Sequence, residues 1–463
     1  MSSDIPDFLR LSQVPVNYLQ KVETDLLDPV VFNEASGSTV DGFCRFTLQQ
    51  KGFLHSHSKL FLSLTPPTAV TRAVFPPNVG IGSVIKSAVL KVGNKVLNEI
   101  SDWDHMYSFK SALISNENNV ERELYTTGRY MNHAFDYLAD NAREADGYSL
   151  KVGRDIDGID YKMLPFALMD GTSAATKAQS PSYAIDLSDL FPFLKVHSLP
   201  LYMIDEPINI ELTLRPLINH RAVRITGTAE QSFTIDQNEL KFCADYIYYG
   251  AGDEMEAFAQ KNKEMNFSFV DYRLSTQSTS VAQLQSGIVR NIGMANRQVT
   301  NVMTVFNADR EGENDLLLNL GSLSTEAGGA GVNVNQLGTF SYNVRYNDLF
   351  EFSSNVSNFS RLFNLTQDSQ GVLFITKDEF SSGGGGIVEA TDATFEGKDQ
   401  QANLRGKFFL LATKLTGGRV GQRGIELHVE GDDMKAGLTT TRSFCEYMRV
   451  AQLSDGMFTV YNV

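Results

Sequence analysis

Apolar and polar residues alternate with period two wherever the sequence is regular. In Ile208–Arg215, INIELTLR, the residues Ile208, Ile210, Leu212 and Leu214 share one side, and Asn209, Glu211, Thr213 and Arg215 the other. Ile425–Glu430, IELHVE, repeats the design with Ile425, Leu427 and Val429. Cys44, Phe46 and Leu48, and Leu60, Leu62 and Leu64, do so less cleanly. Strands with one dry and one wet face predict antiparallel sheets packed as sandwiches or barrels.

Helical patterns are few and short. Ser83–Trp103, SVIKSAVLKVGNKVLNEISDW, reads as two strands folded about Gly93-Asn94 and running straight into a helix. Ser101 is placed to cap that helix, with Asp102 and Asp104 in its first turn and Trp103, Met106, Tyr107 and Leu113 on one face. A second helix is predicted from Asp253, where Asp253 and Glu256 have capping-box spacing. Strand–helix–strand alternation and Gly-rich strand–helix turns are missing, so a parallel α/β sheet does not fit.

Two long irregular stretches, about 116–183 and 321–418, are rich in Gly, Asp and Ser and read as insertions. The predicted organisation is an N-terminal arm (1–32), a first β unit (33–217), a linker (218–237) and a second β unit (238–463).

Composition narrows the function. A chain of 463 residues can bury more than one core, and 42% hydrophobic with 21% charged residues is ordinary for a globular protein. Thirty Phe and 17 Tyr against one Trp favour β structure. Forty basic against 55 acidic residues give a net charge of −15, and no basic block interrupts it. Such a chain has no electrostatic attraction to phosphate backbones, so direct nucleic-acid binding is not expected. Cys44, Cys243 and Cys445 lie far apart and fit buried free thiols. The start, MSSDIPDFLRLSQ, has neither the basic nor the apolar region of a signal peptide, and no apolar run is long enough to span a bilayer.

Candidate chemistry is sparse. His55 and His57 would share a strand face, but no third ligand is near in sequence, and a surface pair is expected. Asp155–Asp160, DIDGID, resembles a calcium loop, yet its twelfth position is Phe166 where a bidentate Glu is needed. Phosphate-loop, nucleophile-elbow, zincin and C-x-x-C motifs do not occur. Glycosylation sequons begin at Asn266, Asn355, Asn358 and Asn364, and are expected to stay bare. The Gly383–Gly386 run reads as a loop tip. No catalytic, cofactor-binding or metal-binding residue is assigned.

Four segments resemble a known family in its own order. VIKSAVLKVGNKVLNEISDWDHMYSF (Val84–Phe109) is similar to its strand–glycine turn–strand and aromatic helix. LPLYMIDEPINIELTLR (Leu199–Arg215) is similar to strands closing a first jelly roll, and CADYIYYGAGDEMEAFAQ (Cys243–Gln260) to the strand and helix opening a second. EYMRVAQLSDGMFTVYNV (Glu446–Val463) resembles the closing segment. The family is the double jelly-roll major capsid proteins of nucleocytoplasmic large DNA viruses, virophages and polinton-like viruses. The chain departs from it after Gln260, where NKEMNFSFVDYRLS replaces the usual His-Glu-Tyr, and at Met255 and Glu256, which replace basic residues.

The resemblance implies an all-β chain of two tandem antiparallel jelly-roll sandwiches with short capping helices and long loop insertions. It also implies homotrimeric, pseudo-hexameric capsomers in an icosahedral shell, with neighbouring capsomers, penton and minor capsid proteins as partners. The protein would be made in the host cytoplasm, reside in the virion and need no cofactor. Residues 116–183 and 321–418 would be surface towers and clasps. The arm would reach neighbouring proteins, and its lack of basic residues speaks against a lipid anchor. The competing reading is a carbohydrate-binding or glycan-cleaving β-sandwich, which a single Trp disfavours.

Overall fold

A computed structural model of the chain describes residues 19–65, 79–114, 182–217, 232–249, 252–308, 341–371, 410–430 and 438–463, a few single positions within them excepted, with short pieces between. The DIDGID segment, the Gly383–Gly386 run, Asn358 and most of 116–183 lie outside the described residues.

The first half forms two large antiparallel sheets, with smaller two- and three-stranded ones beside them. One has the order Val31–Asn33, Gly42–Leu48, Ile208–Leu214, Ile85–Val92, Lys95–Ser101. Its register follows from the alternation. Ile208, Ile210 and Leu212 stand opposite Leu48, Phe46 and Cys44 on one side, and opposite Val92, Leu90 and Ala88 on the other. All nine are essentially inaccessible to solvent, each large apolar side chain contributing about 1.5–3 kcal/mol of burial. The facing sheet runs Tyr183–Asp186, Lys59–Leu62, Lys241–Tyr249, Phe53–Leu54, Leu199–Pro200, and Leu19–Leu27 pairs along the other edge of Lys241–Tyr249.

The second half repeats the plan. Glu264–Ser278, Leu438–Ser454, Val299–Ala308 and Leu410–Lys414 make one sheet, with Met457–Asn462 also paired to Leu438–Ser454. Ile288–Gly293, Ile425–Glu430, Ser341–Tyr346 and Leu349–Phe350 make the other. The buried apolar residues of both halves form one continuous cluster. The all-β, two-sandwich expectation holds.

Several expectations shift in detail. Lys241–Tyr249, predicted to open the second unit, instead pairs with Leu19–Leu27, Phe53–Leu54 and Lys59–Leu62 in the first. Its burial alternates up to Tyr246 and Ile247, which are both buried, but alternation names no partner. Thr234 and Ile235, inside the expected linker, pair with Thr65 and Leu64. Residues 19–27 of the expected arm are an edge strand. Part of the stretch read as an insertion is sandwich: Tyr342, Val344 and Tyr346 are buried on a strand whose intervening Ser341, Asn343 and Arg345 made it look polar.

The Gly93-Asn94 hairpin forms as predicted, with Val92 opposite Lys95 and a positive φ of 58° at Gly93, where a two-residue II′ loop places glycine. Ser101 ends the strand instead of capping the helix. Asp102, with φ of 47°, makes the turn, and the helix runs Trp103–Ile114. The second helix spans Gly252–Lys261, one residue earlier than expected.

Candidate functional site: the seam between the sandwiches and the uncovered strands

The hairpin and Trp103 helix face the second sandwich, and a chain of buried polar groups joins them to it. At its centre is Asp271, 1% exposed, on a strand whose preceding inward positions are Met265, Phe267 and Phe269. Its carboxylate accepts from Arg449 Nη1 (2.7 Å), Asn98 Nδ2 (3.1 Å), Tyr447 Oη (3.3 Å), the Glu99 N–H (3.4 Å) and the Tyr272 N–H (3.0 Å). Arg449 also donates to the Leu97 and Val96 carbonyls at 2.9 and 3.2 Å, and Asn98 Oδ1 accepts from the Phe193 N–H at 2.8 Å. Burial pushes the Asp271 carboxyl upward, while Arg449 and these donors pull it back. A buried ion so fully satisfied fixes orientation; stripped of one partner it is strongly destabilising.

Three further contacts extend the seam. Glu446 accepts from Tyr272 Oη (2.6 Å), Thr300 Oγ1 (2.8 Å) and Asn301 Nδ2 (2.9 Å), and Lys110 of the Trp103 helix lies 3.6 Å away and over the Tyr272 ring. Although burial opposes it, Lys110 and these donors hold the Glu446 carboxyl below its ordinary value. Phe193 packs edge-on against Phe269 at 5.0 Å and near Phe267 at 5.6 Å. Asp104 is held by Arg215, and Asp102 meets Arg215 at 3.4 Å and Arg442 of the second sandwich at 3.2 Å.

Turns close the seam's end. Asp205 N–H donates to the Gly456 carbonyl (2.9 Å), and Glu206 binds Lys95 Nζ (2.8 Å) and the Phe458 N–H (3.3 Å). A Cβ at Gly93 would strike the Glu206 carboxylate, and one at Gly456 (φ 77°) the Asp205 carboxylate. Both turns need glycine for φ, and a side chain at either would displace the carboxylate that faces it.

His55 and His57 come together, with His57 Nδ1 at 3.2 Å from Asp186, but no group of three or more metal-ligating side chains occurs among the described residues. Cys44 and Cys445 are buried, and burial raises both thiols to about 12; Cys243 is half-buried. Asn364 and Asn355 are exposed, and Asn355 Oδ1 accepts from Asn343. The seam residues Asp271, Arg449, Asn98 and Arg442 were not singled out. A charge at an otherwise apolar inward position, as in NFSFVDYRL, is the signal that marks Asp271.

Elsewhere apolar side chains stand uncovered on strands. Val22 and Leu26 are 49% and 62% exposed on the edge strand, Leu349 and Phe350 72% and 51%, and Met457 and Tyr461 54% and 49%.

No protein-family profile and no curated protein matches the sequence. Solved structures do. The crystal structure of PBCV-1 VP54 fitted into a cryo-EM reconstruction of the virophage Sputnik aligns with 96% of this chain and 98% of its own, at TM-score 0.54 and 12% identity. The cryo-EM structure of the Sputnik virophage aligns with 97% and 90%, at TM-score 0.53 and 9% identity. The mavirus major capsid protein covers 95% and 90%, at TM-score 0.50 and 9% identity. This chain has the double jelly-roll capsid-protein fold. Within the double jelly roll, three of the four segments that carried the resemblance, Val84–Phe109, Leu199–Arg215 and Glu446–Val463, supply most of the seam, whereas Cys243–Gln260 lies in a strand of the first sandwich and the helix after it. No helix among the described residues is long and apolar enough to cross a membrane.

Proposed function

We propose that this chain is a viral major capsid protein whose copies associate as pseudo-hexameric homotrimers and tile an icosahedral shell. The observation that carries the reading is alignment over at least nine-tenths of both chains with capsid proteins, at TM-scores of 0.50 to 0.54. Its role is structural, with no catalytic step, and its place is the virion. Neighbouring capsomers are its main partners, with penton and minor capsid proteins at special positions, and the net charge of −15 argues against direct genome contact. The boundary between the jelly rolls falls at the Gly252–Lys261 helix, after the strand that completes the first sandwich.

Closed rings of identical subunits use heterologous contacts, in which one surface of a copy covers a different surface of the next. The uncovered apolar residues on the Leu19–Leu27, Leu349–Phe350 and Met457–Asn462 strands supply surface for such contacts. Light scattering coupled to size-exclusion chromatography should give about 154 kDa, three copies of 51.3 kDa, and negative-stain images should show six-lobed particles. A stable monomer at micromolar concentration refutes the assembly.

A further inference from the structure

His105 occupies the first turn of the Trp103 helix, 2% exposed, and neither ring nitrogen has a hydrogen-bond partner among the described residues. Its nearest acidic oxygen is Asp104 Oδ1, 3.5 Å from Nδ1. That carboxylate is already engaged by Arg215 and by the His105 N–H at 2.9 Å. The charged groups around the ring are Asp102 and Asp104 at the start of its own helix, Arg215 following the Ile208–Leu214 strand, and Arg442 on the Leu438–Ser454 strand of the second jelly roll. Among the described residues these are two carboxylates and two guanidiniums, and the neutral imidazole adds no charge to them.

We propose that His105 is an acid-sensitive release for the joint between the two jelly rolls. A proton taken from solvent onto its ring adds a third cation beside Arg215 and Arg442, in a space closed to water. The contact that relieves it is Asp102–Arg442, the ion pair of this cluster that crosses the seam, so the Trp103 helix separates from the Arg442 strand. Burial and the two arginines hold the ring well below its ordinary value, so the closed joint refuses a proton that the opened joint accepts. The sign follows: above about pH 6.5 both forms are neutral and the joint has full strength. Below that, each pH unit raises the opened fraction about 10-fold, until the closed form is itself protonated.

Trp103, the chain's one tryptophan, reports on this helix, stacked on Tyr107 at 4.7 Å between ring centroids two residues from the histidine. The test measures Trp103 emission and hydrogen exchange of residues 103–114 in the full chain from pH 7.5 to 5.0, with exchange corrected for intrinsic rate. In the wild type, protection should fall about 10-fold per pH unit below about 6.5, with a change in emission. His105→Gln and His105→Phe should abolish that slope. His197→Gln, at the seam's other histidine, whose Nε2 is 2.7 Å from the Ser268 carbonyl, should keep it. A flat wild type overturns the proposal, as does a slope surviving in both His105 variants, which assigns the response to Asp104 or Asp271. Should neither variant fold, the ring NMR signals of His105 decide: titration in step with exchange supports the proposal, and titration without it overturns it.

Discussion

At the scale of single residues, burial decides which reactive groups stay silent. Cys44 and Cys445 are closed off within sheets, their thiols raised to about 12, so almost no thiolate forms at pH 8. Cys243 is partly open beside Leu26 on the neighbouring strand. A thiol reagent applied to the folded chain should therefore modify Cys243 first and reach the other two only after unfolding, with peptide mass spectrometry locating the adducts. Early modification of Cys44 or Cys445 contradicts the packing of both sheets. Residue identity alone foretold buried thiols but could not separate the three. Likewise Asp271 looked like one more acid among 55, and only the apolar register of Met265, Phe267 and Phe269 shows that it points inward.

At the scale of elements, local pattern was a good guide and partnership was not. Gly42–Leu48, Ile208–Leu214 and Ile425–Glu430 are strands because alternation is written within seven residues or fewer. Asp455-Gly456, both at positive φ between paired Ser454 and Met457, forms a two-residue hairpin of the kind Asp-Gly favours, which the alternation of the flanking residues did not bring out. That Lys241–Tyr249 joins the first sandwich depends on Leu19–Leu27, more than 200 residues away, and nothing local encodes that distance. This edge strand also separates folding from assembly. Its inward Glu23 and Asp25 bind Lys51, whereas Val22 and Leu26 face outward. Deleting residues 1–27 should lower the unfolding midpoint and promote aggregation, because it bares the edge of Lys241–Tyr249. Val22→Lys with Leu26→Lys should change subunit stability by only about 0.5 kcal/mol per site, yet weaken association of copies. Circular dichroism melts and light scattering read the two effects apart; equal loss of both refutes an outward role for these side chains.

At the scale of the whole molecule, one core runs through both jelly rolls, and buried ions cross between them. Two sandwiches joined only by a chain segment would unfold independently, whereas these share Phe193 with Phe267 and Phe269, and Arg449 with the Val96 and Leu97 carbonyls. Coupling of that kind makes denaturant unfolding a single transition, even at a length where domains usually act separately. Arg449→Ala leaves Asp271 buried without its counter-ion, a loss of about 3–5 kcal/mol. Because the loss falls on the joint and not within either sandwich, the variant should unfold in two steps. Asp271→Asn with Arg449→Met removes both charges at once and should recover part of the midpoint. Fluorescence of Trp103 follows the first sandwich, and a tryptophan placed at Phe352 follows the second. If the two probes still coincide in Arg449→Ala, the apolar cluster alone couples the halves and the ions serve only to set their orientation.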